Sequence, residues 1–456
     1  MTIETLPDDV LLAIFTSYLD RPNEIDVWRT LVHVCQRWRY LVFASPGHLN
    51  LRLECTIETR TREMLGVWPA LPIVITDDSD WMSGVDNIIS ALEQRNRVCE
   101  IMLDDIPCGK MDTLVPAMLE SFPALESILL GADDSEMAVV PDSFLGGSAP
   151  QLHWFTLHAI PFPALPTLLS SASNLLGLQI SGIPLSGYIS PEVMVTCLSA
   201  LPRLGNLRFQ FDSPQSFPTH ESRRRPPPTR FTLPALRELI FEGVDEYFED
   251  LVAQIDTPVM RNLEITFFHR HFYATSQLSQ FIGRVEVFKS PAHANIMLFN
   301  GGAEVSINLI TGMDGPARLS LNISCNELHR QLRYFLQLFR SSLLPVSDVE
   351  RLGISSVHKL QQSQWGPTAE DFLWLDLFHA FPAVKVLSID KNSLIPVAHT
   401  LKEVVKERIT EMFPAIRELS IGEHLPSSPI LMAIESFAAA RELFTHLDRP
   451  HRWVAG

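Results

Sequence analysis

The chain has 456 residues, 46% of them hydrophobic and 20% charged, with 33 prolines and 21 glycines. That balance excludes a disordered or fibrous chain, and the length leaves room for two to three ordinary domains around a large core. A net charge of −17 argues against general nucleic-acid binding, which needs clustered Lys and Arg to neutralise phosphates. No apolar run of about eighteen residues is present, and Met1-Thr2-Ile3-Glu4 lacks the basic start and apolar centre of a secretory signal. The expectation is an intracellular protein, cytoplasmic or nuclear, with no membrane partner. Its cysteines, Cys35, Cys55, Cys99, Cys108, Cys197 and Cys325, form no CxxC pair and read as small hydrophobes.

In chain order the first signal is LPDDVLLAIFTSYLDRPNEIDVWRTLVHVCQRWRYLVF. Leu6, Val10, Leu11, Ile14, Phe15, Tyr18 and Leu19 recur at helical spacing, with Pro7 near the first position and Asp8 and Asp9 at the positive end of the dipole. Pro22 breaks this run and a second starts near Asn23. Val34, Cys35, Trp38, Leu41 and Val42 then mark one helix face, ended by Ser45-Pro46-Gly47. Three short helices are predicted. They carry more apolar surface than a segment of about 45 residues can bury by itself, so the surplus is either a core wall or an interface.

This segment resembles an F-box, the helical module that docks on the Skp adaptor of cullin-based ubiquitin ligases. Leu6-Pro7 at the opening, Ile14-Phe15 and Leu19 at the end of the first helix, and Val34-Cys35 with Trp38 in the last carry the likeness in the family's order. The connection between Leu19 and Val34 is longer than the family's, an insertion that falls on a surface loop. The resemblance implies an F-box over residues 1–50 and adaptor contacts from Leu6, Pro7, Val10, Leu11, Ile14, Phe15, Val34, Cys35 and Trp38. Leu31 and Val42 are expected to hold the three helices together. The rival reading is a helical cap on the domain that follows.

Beyond residue 50 a phrase returns: FPALESILL, APQLHWFTL, LPRLGNLRF, LPALRELIF, TPVMRNLEI, FPAVKVLSI, FPAIRELSI. Its first apolar positions are Val98, Leu125, Leu152, Leu175, Leu204, Leu236, Met260, Val349, Val384 and Ile416, each followed by apolar residues three and five places later. Two further copies are expected at Val285 with Phe288 and at Leu319 with Leu321 and Ile323. The third and fifth places share one side of an extended segment, so each copy stacks on its neighbours. Proline two places before many anchors (Pro123, Pro150, Pro202, Pro234, Pro258, Pro382, Pro414) stops a preceding helix and sets an extended entry. A period of roughly 20 to 35 residues predicts an α/β solenoid over 51–456. Helices are predicted at Met111–Glu120, Ser190–Leu198, Glu327–Leu338, Glu370–His379 and Val397–Met412.

The phrase resembles irregular leucine-rich repeats, L-x-x-L-x-L, which implies parallel strands on a concave face and helices on a convex one. Eight places after the anchor, where that family uses Asn or Cys, only Asn392 fits, so uneven curvature is expected. Side chains two and four places after each anchor would line the concave face. Met102, Leu129, Trp154, Arg208 and Ile240 are the candidate target-binding residues there, because aromatic, Met and Arg side chains favour interfaces. Residues 212–230, with five prolines and a triple arginine, read as a mobile surface loop. Residues 428–447 read as a capping helix.

No HExxH, GxxxxGK[ST], GxSxG or glycine-rich dinucleotide turn is present. The histidine pairs His153/His158, His269/His271 and His446/His451 lack accompanying ligands at metal spacing. No catalytic residue, metal or cofactor is therefore expected. The resemblance implies a substrate-recognition subunit of an SCF-type (Skp, cullin, F-box) ubiquitin ligase, with a protein target as the second partner. The alternative is a non-catalytic scaffold without ligase function.

Overall fold

A computed structural model of the chain describes residues 6–20, 25–77, 81, 84–133, 139–217, 230–268, 276–289, 291–299, 302–309, 317–324, 328–340, 346–356, 369–394, 397–398, 400–401, 412–421 and 428–447. They divide into two compact units, one comprising residues 1–189, 200–204 and 215–218 and the other the remainder.

The first unit opens with helices α1 (Asp8–Leu19), α2 (Trp28–Val32) and α3 (Gln36–Ala44), as the apolar spacing predicts. Strands β1 (Leu53–Cys55), β2 (Ile73–Asp77), β3 (Val98–Ile106), β4 (Ser127–Ala132), β5 (Trp154–His158) and β6 (Gly177–Ile183) follow. Helix α4 (Thr61–Val67) joins β1 to β2, α5 (Asp86–Leu92) joins β2 to β3, α6 (Cys108–Leu114) follows β3 and α7 (Leu165–Leu169) follows β5. The six strands pair in parallel, each with the next in the chain. Parallel neighbours need a crossover, which these short helices and turns supply.

The second unit contains α8 (Pro191–Ser199), β7 (Asn206–Phe211), β8 (Phe231–Thr232), β9 (Glu238–Gly243), α9 (Asp245–Val252), β10 (Ile255–Asp256), β11 (Asn262–Phe268) and α10 (Ser276–Arg284). It continues through β12 (His293–Phe299), β13 (Gly302–Leu309), β14 (Ala317–Ser324), α11 (Leu328–Arg340), β15 (Arg351–Ser356), α12 (Ala369–His379), β16 (Val386–Ile389), β17 (Glu418–Ile421), α13 (Ser428–Ala440) and β18 (Phe444–Leu447). Ten of these strands form one sheet in the order β7-β9-β11-β14-β13-β12-β15-β16-β17-β18. Every pairing in it is parallel except the two that β13 makes with β12 and β14. β8 and β10 form a separate parallel pair. The architecture is α/β.

The repeated phrase sets this arrangement. Nine of its ten anchors stand two residues before a strand, and Val98 begins one. All ten are buried, and so are the apolar residues three and five places on, from Ile101 and Leu103 to Leu419 and Ile421. Burial alternates along β7, β9 and β11, so one sheet face is packed and the other half-open. That alternation is uncommon for parallel strands, which are ordinarily covered on both faces.

Three expectations need correction. Val285 and Phe288 are buried but lie at a single helical turn, Glu286–Lys289, while the strand comes later, with Ala294, Ile296 and Leu298 buried on β12. β12 pairs with β15 rather than β11, and the chain then doubles back through β13 so that β14, with Leu319, Leu321 and Ile323, pairs with β11. Helix α13 ends at Ala440, and residues 444–447 form β18 on the edge of β17, where a helical cap over 428–447 is predicted. Strands β1 and β2, which precede the first copy of the phrase, are additional. Residues 218–229 of the Arg/Pro-rich segment and most of the predicted Val397–Met412 helix lie outside the described residues.

Candidate docking surfaces

The N-terminal helices divide their apolar residues between two sides. Leu11 and Phe15 of α1 are fully buried, as are Trp28, Leu31, Val32, Leu41 and Val42. Phe15 meets Trp38 of α3 edge-on, with ring centroids 4.7 Å apart, and Trp38 is half-buried over it. Leu31 and Val42, expected to hold the helices together, are both buried. Leu11 and Phe15, predicted to face a partner, belong instead to the interior.

One side is already covered by the chain. Trp28 Nε1 donates to Arg52 O at 2.8 Å, and its ring packs edge-on against Trp68 of the segment after α4, centroids 5.1 Å apart. The Arg29 guanidinium sits 5.9 Å from both ring centroids, a cation–π arrangement. Beside it, burial pushes the Asp26 carboxyl up to about 6, although Arg29, at 2.7 Å, and the Glu54 N–H favour its ionised form. The helices therefore do wall one end of the first unit's core.

The other side is bare. Val10 is 39% exposed, Ile14 42% and Val34 59%; Pro7 and Cys35 are exposed and Leu6 is half-buried. Apolar side chains of this size in one short segment are not what a packed cap needs. Arg37 ties the two contributing helices together. Its Nη2 donates to Leu6 O at 2.6 Å, and the guanidinium pairs with Asp8 at the start of α1. Sequence reasoning missed both Arg37 and Trp28. An Arg one residue from Trp38, with an acid at the facing helix start, was the available signal for the first.

The sheet-face candidates fall in two groups. In the first unit, Met102 of β3 and Leu129 of β4 are in register, and Trp154 of β5 stands diagonally beside Leu129, in the row Glu100, Ser127, Trp154, Gly177. Trp154 is 41% exposed and lies flat over Gly177, where a Cβ would come within 2.2 Å of two indole atoms. Glycine at that position is what allows the close approach. Met102 and Leu129 are half-buried. In the second unit, Arg208 of β7 is paired with Ile240 of β9, both half-buried, with Glu264 of β11 next in the row. One row on, Gln210 Nε2 donates to Glu242 Oε2 at 3.1 Å, and burial raises the Glu242 pKa.

Cys55, Cys99 and Cys197 are buried, and burial pushes each thiol up to about 11, so these behave as hydrophobes. Among the described residues there is no group of three or more His, Cys, Asp or Glu that could hold a metal ion. No described helix is long and apolar enough to cross a membrane. No protein-family model matches the chain, and no curated protein matches it in sequence.

Proposed function

We propose that the chain is an F-box protein with an irregular leucine-rich-repeat-like solenoid, serving as the substrate-recognition subunit of an SCF-type ubiquitin ligase. The N-terminal helices dock on a Skp adaptor, and through it a cullin. The open sheet face holds a target protein. The observation that carries this reading is the bare apolar side formed by α1 and the turn before α3, with Val10, Ile14, Val34 and Cys35 turned outward while Trp28 and Phe15 secure the other residues. In this reading the chain supplies no catalytic group. It contributes effective concentration, because tethering target and ubiquitin donor in one assembly makes their encounter intramolecular. Trp154, with Met102 and Leu129, is the leading contact for a target.

Because Trp28 and Trp38 are packed, the test uses surface substitutions rather than removal of the helices. Full-length chain and the double variant Ile14→Asp/Val34→Asp are compared for capture of purified Skp adaptor and for the lifetime of captured targets in cells. Loss of adaptor with unchanged melting temperature, and longer-lived targets, is the expected result. Equal adaptor recovery sinks the docking claim, and lost adaptor with unchanged target lifetimes leaves a scaffold without ligase function.

A further inference from the structure

A cavity of about 290 Å³ opens in the second unit beside the β8–β10 pair, lined by Thr232, the Asp256-Thr257-Pro258 turn, and Phe281, Arg284 and Val285 at the end of α10. One polar group on its wall is left without a partner, and a second is only partly used. Thr257 is only 3% exposed, yet its Oγ1 has no hydrogen-bond partner, a costly state for a buried hydroxyl. Arg284 spends Nη2 on the carbonyls of Val252 and Ile255, each at 3.2 Å. Its Nε stands 2.7 Å from Asp256 Oδ1 as an ion pair, but without hydrogen-bond alignment. Nη1 has no protein partner among the described residues.

The charge balance has a sign. Asp256 is the one carboxylate in the lining, whereas Arg284 is joined by Arg230, whose Nε bonds to Ala253 O at 3.1 Å and whose charge, after burial, further lowers the Arg284 pKa. The lining itself carries one guanidinium and one carboxylate, and Arg230, outside the lining, adds a second positive charge beside them. The rest of the wall is apolar, with Phe281 and Val285 buried and Pro258 at the turn.

We propose that this cavity binds a small organic acid, whose carboxylate accepts hydrogen bonds from Arg284 Nη1 and the Thr257 hydroxyl while its apolar body rests on Pro258, Phe281 and Val285. Charge-assisted bonds of this kind are the strong ones, and the carboxylate gives the orphaned Thr257 hydroxyl its missing partner. A cavity of about 150 Å³ accommodates benzene, so 290 Å³ suits an acid of about ten non-hydrogen atoms. The site shares no residue with the docking surfaces and does not rest on the ligase reading.

The probes are 4-fluorobenzoate, 4-fluorobenzyl alcohol and 4-fluorobenzylamine, titrated against the full chain and followed by fluorine NMR. Saturable binding of the benzoate is expected, with the alcohol and the amine at least about tenfold weaker, the loss of one charge-assisted bond. Thr257→Val keeps the side chain's shape and weakens benzoate about tenfold, without lowering the melting temperature. Thr232→Trp, at the exposed rim, fills the mouth and abolishes binding. No saturation with benzoate, equal affinity for the three probes, or binding untouched by both substitutions overturns the proposal.

Discussion

The N-terminal helices and the strands of the repeated phrase are both read from apolar periodicity, yet they use it differently. In the strands every anchor and its third and fifth followers are buried, because each strand's neighbour is another copy of the same pattern. In the helices the same kind of pattern splits, with Leu11 and Phe15 inside and Val10, Ile14 and Val34 outside. A periodic pattern thus marks a face that wants covering, and the chain covers it only where the complementary face is also encoded. The uncovered remainder is the part of the sequence that speaks about other molecules.

Adjacent residues on α1 give the sharpest way to break that comparison. Phe15→Ala should cost about 3–5 kcal/mol in a denaturant titration, as loss of a buried aromatic does. Ile14→Ala should cost no more than about 0.5 kcal/mol, as for a surface position. Similar costs for the two would mean that the outward side is packed after all. A smaller effect is expected at Gly177→Ala, where the new methyl meets the Trp154 ring. The half-open ring can swing away, so about 1 kcal/mol or less is lost, while Trp154 becomes more accessible to iodide quenching. Unchanged quenching relative to a Trp154→Phe control would show that the indole does not lie on this strand.

The last effect is one of pH and concerns Asp26. Its folded pKa of about 6 lies above the ordinary 3.8, so the folded chain holds this proton more tightly than the unfolded one. Stability therefore falls as pH rises from 3.8 through about 6, by an amount on the order of 1–2 kcal/mol once solvent screening is allowed for. Asp26→Asn should lack this decline. Melting curves for the two proteins that stay parallel between pH 4 and pH 7.5 would dispose of it.

The strand positions were legible because their chemistry is local: an apolar anchor, two apolar followers on one side, and a proline to end what precedes. Helices α8, α11 and α12 were legible for the same reason. The doubling back of β12 to β14 was not, since an antiparallel strand has the same period of two as a parallel one and Val285 with Phe288 imitates the anchor spacing. The antiparallel pairing of β12 with β13, up to Phe299 opposite Gly302, therefore left no signature in the periodicity. Of the nine residues assigned to the adaptor surface, Leu11 and Phe15 were misplaced because spacing locates a helix face to within about a quarter turn and no better. Arg37 and Trp28 were missed because their partners, Asp8 and Trp68, are distant in sequence. The cavity beside β8 could not be foreseen, since a missing hydrogen bond leaves no trace in a string of letters.

The reversed stretch has a consequence for how the chain is made. A sheet of purely sequential parallel strands can lengthen one turn at a time as it emerges from the ribosome. Here the edge of β11, which ends at Phe268, receives its neighbour only with residues 317–324, after two other strands have been synthesised. During that interval β11 is an open template of unpaired amides, the kind of surface on which nascent chains stick to one another.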